Sequence, residues 1–148
     1  MNEMQLDILR LKNQGFCCSQ IMMHMALDIQ GSENPGLLRA MTGLCKGSLS
    51  QRGTCGVFTG AACILGLYAG KGLADDEADE RLPLMLAALE QWFEGVVVGK
   101  FGGSKCADIV DDFKPDMAIC GKLIEECFGQ TMAILVENGF DPADSRND

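Results

Sequence analysis

The chain lacks any pair of cysteines at the C-x-x-C spacing, although it carries eight cysteines in 148 residues. This absence excludes zinc ribbons, thioredoxin-type dithiols, bacterial ferredoxins and covalently attached c-type haem, all of which use closely spaced cysteines. A site built from these cysteines must therefore be assembled by the fold from separate segments.

Histidine and basic residues are also scarce. His24 is the only histidine, and its position on the flank of a helix favours a surface or packing role over metal ligation. No Ser–His–Asp grouping can be argued from a single histidine. The loop with Lys46 and Arg52 lacks the G-x-x-x-x-G-K-[ST] pattern of phosphate-binding loops. The net charge of −9 argues against nucleic acid and anionic membrane surfaces as partners.

The N-terminal residues do not form an export signal, because acidic and amphipathic residues stand where a basic region and an apolar run would be. We therefore expect a cytoplasmic protein. In that compartment a structural disulfide framework is disfavoured, and metal binding or redox chemistry is favoured. No linker or repeat divides the sequence, so residues 1–148 are expected to form a single all-helical, cysteine-rich domain.

The apolar stretch from Cys55 to about Ala69 predicts a central helix without a polar face, and such a helix is buried. It is shorter than the roughly 20 residues of a membrane span, so no span is expected. Gly56, Gly60 and Cys63 share one narrow face, which predicts close approach of another element or a cofactor. With Thr54 as N-cap, Cys55 would lie in the first turn, where amides and the helix dipole favour a thiolate.

Periodic apolar residues predict further helices, and no segment alternates as a strand would. The sequence thus predicts an all-α fold, an irregular bundle of about five or six helices around the central buried helix. The acidic run Asp75–Glu77 should open the helix after the central one, with Pro83 kinking or delaying it and Val96 on its buried face. A short helical turn is predicted from Cys106 to Phe113. The other predicted helices span residues 3–13, 17–30, 35–44 and 115–138.

For the remaining cysteines, the helix face on which each one lies predicts the direction and burial of its side chain. Cys18 and Cys120 occupy apolar stripes and should point inward. Cys63 and Cys127 also lie on apolar faces, where a buried cysteine behaves as a small hydrophobe. Cys120 and Cys127 are about 10 Å apart along one helix, too far for a disulfide. Several thiols that converge in one core must be neutral, disulfide-bonded or bound to metal, because thiolates brought together would repel.

Four segments give the chain a resemblance to the redox-active protein family named after the C-GCAxxG-C-C cysteine pattern: Gly15-Phe16-Cys17-Cys18-Ser19-Gln20-Ile21, Cys55-Gly56-Val57-Phe58-Thr59-Gly60-Ala61, Phe101-Gly102-Gly103-Ser104-Lys105-Cys106 and Cys120-Gly121-Lys122-Leu123-Ile124. Val57 departs from the usual alanine. The resemblance spans nearly the whole chain and implies that the functional set is Cys18, Cys55, Cys106 and Cys120. It does not cover the other cysteines, which are Cys17, Cys45, Cys63 and Cys127. A similar segment accompanies iron–sulfur and haem centres in split-Soret cytochromes.

The resemblance and the inward cysteines lead to one principal functional hypothesis. Cys18, Cys55, Cys106 and Cys120 are predicted to bind an iron–sulfur cluster in a soluble protein of electron transfer or redox sensing. One alternative is metal-free thiol–disulfide chemistry, with Cys55 as the attacking thiolate and Cys18 or Cys106 as its partner. Another is a structural or sensing zinc module. The expected partner is a redox protein of unspecified identity, and the sequence allows a homodimer.

Overall fold

The computed structural model of the protein describes residues 1–110 and 117–145. Within these residues the chain is helical and forms no β-sheet, apart from an isolated antiparallel bridge between Thr54 and Lys105. The all-α prediction is therefore confirmed. The helices are α1 Glu3–Asn13, α2 Cys18–Gln30, α3 Pro35–Met41, α4 Gly56–Ala69, α5 Leu82–Phe93, α6 Cys106–Ile109 and α7 Met117–Glu137.

Local signals in the sequence set the ends of the first helices. Asn2 caps α1: its side chain accepts a hydrogen bond from the Gln5 amide at 2.8 Å, and the Gln5 side chain accepts one from the Asn2 amide at 3.0 Å. Cys17 is the N-cap of α2, and Gly31 ends that helix in the left-handed conformation at φ 68°. Helix α3 continues into a 3₁₀ turn over Thr42–Leu44.

Helix α4 lies at the centre of the bundle, packed against α2, α5 and α7. Ala61, Ile64 and Leu65 have no solvent exposure, and Cys63 is its only exposed residue. The predicted helix without a broad solvated side is thus confirmed. Its start differs from the prediction, because Cys55 itself is the N-cap and Thr54 lies outside the helix.

The glycines of α4 allow α2 to approach closely. A Cβ added at Gly60 would lie 3.1 Å from Ser19 Cα and 3.2 Å from Met22 Cβ. A Cβ at Gly56 would lie 2.7 Å from Cys18 Sγ. The predicted close approach is confirmed at these two glycines. Cys63 does not share the contact, because it is exposed.

Helix α5 begins later than predicted. The run Asp75–Glu77 is not helical, and Pro83 occupies the first turn of a helix that starts at Leu82, where its missing amide donor costs nothing. The helix then widens into a π-helical turn over Glu94–Val98. The buried positions Met85, Leu89, Phe93 and Val97 recur every fourth residue, so Val97 is 1% exposed whereas Val96 is 42% exposed. The predictions for the acidic run and for Val96 are wrong.

Phe113 and the predicted start of the last helix at Pro115 lie outside the described residues, and α7 is described from Met117 to Glu137.

The segment Leu82–Phe101 is long and apolar enough to cross a membrane, and 22% of its most apolar window is buried. One such helix is weak evidence, since core helices of soluble proteins meet the same criterion. The absence of a membrane span therefore stays a prediction.

The loop between α3 and α4 has an unusual backbone. Lys46, Gly47, Ser48 and Leu49 follow one another at φ 52°, 60°, 59° and 66°, and Gln51 is at φ 61°. Non-glycine residues rarely adopt this left-handed conformation because the Cβ approaches the following carbonyl. Such strain persists only where surrounding contacts hold it in place.

Candidate functional site

One cavity of about 270 Å³ lies where the first turns of α2 and α4 meet α6 and α7. The four cysteines that were predicted as the functional set all line it: Cys18, Cys55, Cys106 and Cys120. Apolar side chains, among them Ile21, Ile109 and Ile124, form much of the remaining wall. The fold thus brings four cysteines from four segments to one place. Their role as ligands stays a prediction.

Backbone pairing holds Cys55 and Cys106 beside each other. The Cys55 amide donates to the Ser104 carbonyl at 2.8 Å, and the Cys106 amide donates to the Gly53 carbonyl at 3.1 Å. The Ala107 amide donates to the Gln51 carbonyl at 3.0 Å. These three hydrogen bonds join the loop before α4 to the segment before α6. Residues far apart in sequence are thereby fixed on the same wall of the cavity.

Two glycines, which have no side chain, leave space that the cysteines of the cavity occupy. At Gly47 an added Cβ would lie 2.9 Å from Cys106 Cβ and 2.6 Å from the Gly53 carbonyl oxygen. At Gly56 it would lie 2.7 Å from both Cys18 Sγ and the Leu44 carbonyl oxygen. Distances this short exclude a side chain at either position without rearrangement. The glycines are therefore part of the site's geometry.

Cys55 is 6% exposed, and its surroundings disfavour a thiolate. The pKa of its thiol is raised to about 12, chiefly by burial, with the neighbouring Cys18 and Cys120 acting in the same direction. The backbone amides of Val57 and Phe58 lower the pKa, but less than burial raises it. The prediction of an activated Cys55 thiolate is therefore wrong for the metal-free protein, because desolvation outweighs the favourable helix terminus.

The surroundings of Cys106 also disfavour its thiolate, but less strongly than those of Cys55 do. Partial burial raises the pKa of the Cys106 thiol, and so does the negative charge that Cys18 would carry. Lys46 and Gln51 act in the opposite direction. Lys12 also lines the cavity. Among the residues that the structure describes, these two lysines are the cations that line the cavity, in a chain of net charge −9.

A disulfide joins Cys17 to Cys45, whose Cα atoms are 5.9 Å apart. Neither residue belongs to the predicted functional set, and the expectation against structural disulfides is corrected at this pair. A separation of 28 residues leaves no local signal for the bond. The pairing depends on the tertiary contact between the start of α2 and the turn after α3. Cys17 lines the four-cysteine cavity, so the disulfide lies beside the site.

The predictions for the residues outside the functional set had different outcomes. Cys127 is completely buried, as predicted, and burial raises the pKa of its thiol to about 12. Cys63 is exposed, so the prediction of a buried role for it is wrong. His24 lies 3.2 Å from the Asp28 carboxylate, and its ring contacts the ring of Phe16 in a tilted arrangement with the centroids 5.3 Å apart. These contacts agree with the predicted surface or packing role.

No group of three or more histidine, cysteine, aspartate or glutamate side chains in residues 1–110 and 117–145 is arranged to hold a single metal ion. The cysteines of the cavity share its walls without converging on one coordination point. A single metal ion and a larger metal cluster differ in how closely they gather their cysteine ligands.

Comparison with known proteins gives one family. The model of the family described as "Putative redox-active protein (C_GCAxxG_C_C)" matches residues 16–134. The matched range contains all four cysteines of the cavity as well as Cys17 and Cys45. No curated protein and no solved structure matches the chain.

Proposed function

The chain belongs to the C_GCAxxG_C_C family of redox-active proteins, and from this premise we propose that it binds an iron–sulfur cluster through Cys18, Cys55, Cys106 and Cys120. The observation that carries the proposal is the cavity of about 270 Å³ that all four cysteines line. Four thiolate ligands suit [2Fe–2S] and [4Fe–4S] clusters. The protein would serve in electron transfer or redox sensing.

The chemistry of the cavity fits a cationic group with sulfur ligands. Burial keeps the Cys55 thiol neutral, with a pKa of about 12, so a Cys55 thiolate does not form in the cavity without a compensating charge. Iron supplies that charge and binds cysteine as the thiolate. Loading the site would therefore release protons. The apolar walls would also limit solvent access, which tunes the potential of such a centre.

A single zinc ion is the alternative metal for the same four cysteines. One tetrahedral zinc needs its sulfur ligands gathered around a point, with each bond at about 2.3 Å. A cluster spreads its four cysteine ligands over several iron atoms and spans a wider space. The cluster, when bound, would supply one-electron transfer.

Metal-free chemistry with Cys55 as the attacking thiolate receives less support. The thiolate is the reactive form of cysteine, and a pKa of about 12 leaves little of it near neutral pH. In such a mechanism Cys55 would also have to meet an external substrate, yet its side chain is 6% exposed.

The proposal is tested on protein purified without oxygen. Visible absorption is measured on the same sample in which iron, acid-labile sulfide and zinc are quantified. We expect a coloured protein with iron and sulfide in similar amounts. Stoichiometric zinc with no colour would support the zinc alternative, and a folded, colourless, metal-free protein that resists reconstitution would reject metal binding.

A further inference from the structure

The Cys17–Cys45 disulfide lies at the edge of the four-cysteine cavity but outside the four-cysteine set. Its two sulfurs differ in access. Cys17 is partly exposed and lines the cavity, whereas Cys45 is 2% exposed. An external thiolate can therefore approach Cys17 and not Cys45. In thiol–disulfide exchange the attacked sulfur must be accessible, and the other sulfur leaves.

A buried hydroxyl is placed to receive the leaving sulfur. Ser19 has no solvent exposure, and its Oγ lies 3.2 Å from Cys45 Sγ and 3.5 Å from Cys17 Sγ. In the disulfide form this hydroxyl donates to the Met41 carbonyl at 2.8 Å. Rotation about its side chain would let it donate instead to a Cys45 thiolate. Hydrogen bonds to a charged acceptor are the stronger class, so this hydroxyl would stabilise the departing thiolate, and the burial of Cys45 makes it the sulfur that departs.

The disulfide also anchors the left-handed loop. Cys45 directly precedes the residues Lys46–Leu49, which all have positive φ. The same loop provides the carbonyls of Gln51 and Gly53 that accept hydrogen bonds from the Ala107 and Cys106 amides. Because the disulfide holds one end of a strained loop and Cys106 depends on the other end, breaking the bond should loosen Cys106.

We propose that Cys17–Cys45 is a second, two-electron redox site that exchanges with an external dithiol and controls access to Cys106. A thiolate of the dithiol attacks Cys17 Sγ, forming a mixed disulfide as the Cys17–Cys45 bond breaks and its electron pair leaves on Cys45. The second thiol of the reductant then displaces Cys17. The reductant ends as a disulfide, and its two protons end on the thiols of Cys17 and Cys45.

The first test uses metal-free full-length protein equilibrated with mixtures of reduced and oxidised dithiothreitol. Thiols are trapped with a maleimide and assigned by mass spectrometry, and circular dichroism follows the fold. We expect Cys17 and Cys45 to change state together and reversibly while the fold is retained. A pair that stays oxidised until the protein unfolds would make the bond purely structural, and free thiols in both residues under oxidising buffer would remove it. Either result overturns the proposal.

A matched pair of variants tests which of the two sulfurs an external disulfide can reach, and hence which one an external thiolate can attack. Cys45→Ser leaves Cys17 alone, and Cys17→Ser leaves Cys45 alone. With glutathione disulfide as the probe, we expect Cys17 to form the mixed disulfide about tenfold faster than Cys45, because only Cys17 is accessible. Equal rates in two folded variants would contradict the assigned direction of attack.

Cys63 provides the internal reference for the coupling to Cys106, since it is exposed and does not line the cavity. Reducing the disulfide should raise the alkylation rate of Cys106 several-fold and leave that of Cys63 unchanged. Unchanged rates at both would show that the disulfide does not control access to Cys106. These readouts need no metal, so they succeed or fail independently of the iron–sulfur proposal.

Discussion

Replacing Gly56 by alanine tests whether the approach of α2 to α4 builds the site. The added Cβ would meet Cys18 Sγ and the Leu44 carbonyl oxygen, each at 2.7 Å. The carbonyl belongs to the backbone and cannot swing away, and the sulfur belongs to a proposed ligand. The substitution therefore acts on the packing of α4 and on the position of Cys18 at the same time.

The magnitude follows from comparison with Gly66 in the same helix, where an added Cβ meets nothing within 4 Å. Gly66→Ala should raise the free energy of unfolding by about 1 kcal/mol through helix propensity alone. Gly56→Ala should lower it by about 1–3 kcal/mol, the usual cost of overpacking. Gly60→Ala should fall between them, because its closest contact would be 3.1 Å.

Urea denaturation of the three variants, each reduced and metal-free, measures these differences, with an unchanged m-value showing that the denatured state is comparable. Iron binding of the same variants gives a second readout, since Gly56→Ala should impair loading and Gly66→Ala should not. If Gly56→Ala were as stable as Gly66→Ala and bound as much iron, the close packing around Cys18 would be wrong.

Further outcomes are expected elsewhere in the chain. Cys127→Ala should lower the free energy of unfolding by about 1–2 kcal/mol, whereas Cys63→Ala should change it by less than about 0.5 kcal/mol, both measured by urea denaturation. Burial raises the folded-state pKa of Cys55 from 9.0 to about 12, so its contribution to stability is complete below pH 9.0 and lost as pH rises towards 12. Urea denaturation across that range should show the free energy of unfolding decline. Cys55→Ala should reduce the slope of that free energy against pH. Cys17→Ser should cost about 2–4 kcal/mol under oxidising conditions and little in excess dithiothreitol. Ser19→Ala should slow reduction of the disulfide about tenfold at constant pH, with Ser32→Ala as the control.

Much of the fold could be predicted because its signals are local. The capping of α1 by Asn2 and the apolar face of α4 depend on neighbouring residues, and both helices occur where the sequence places them. The π-helical turn at Glu94–Val98 has no such signal. Positions three and four residues after Phe93 both fit a helical stripe, so the sequence could not separate exposed Val96 from buried Val97. A widened turn depends on how α5 packs, which periodicity alone cannot show.

The sequence predicted which cysteines line the cavity better than it predicted their chemical state. Helix faces pointed Cys18 and Cys120 inward, and the family resemblance added Cys106; all three line the cavity with Cys55. The state of Cys55 was predicted wrongly, because its burial depends on segments distant in sequence and dominates its pKa. The Cys17–Cys45 pair was missed for the same reason, since its bond crosses 28 residues.

The most direct test of the proposed cluster is the iron and sulfide content of anaerobically reconstituted single variants. The set is Cys18→Ser, Cys55→Ser, Cys106→Ser and Cys120→Ser, with Cys63→Ser as the matched control outside the cavity. We predict that the control binds as much iron and sulfide as the unaltered protein, and that each of the four variants loses most of both while remaining helical by circular dichroism. Full iron and sulfide in any of the four, or loss in the control alone, would contradict the assignment of these cysteines as the ligands.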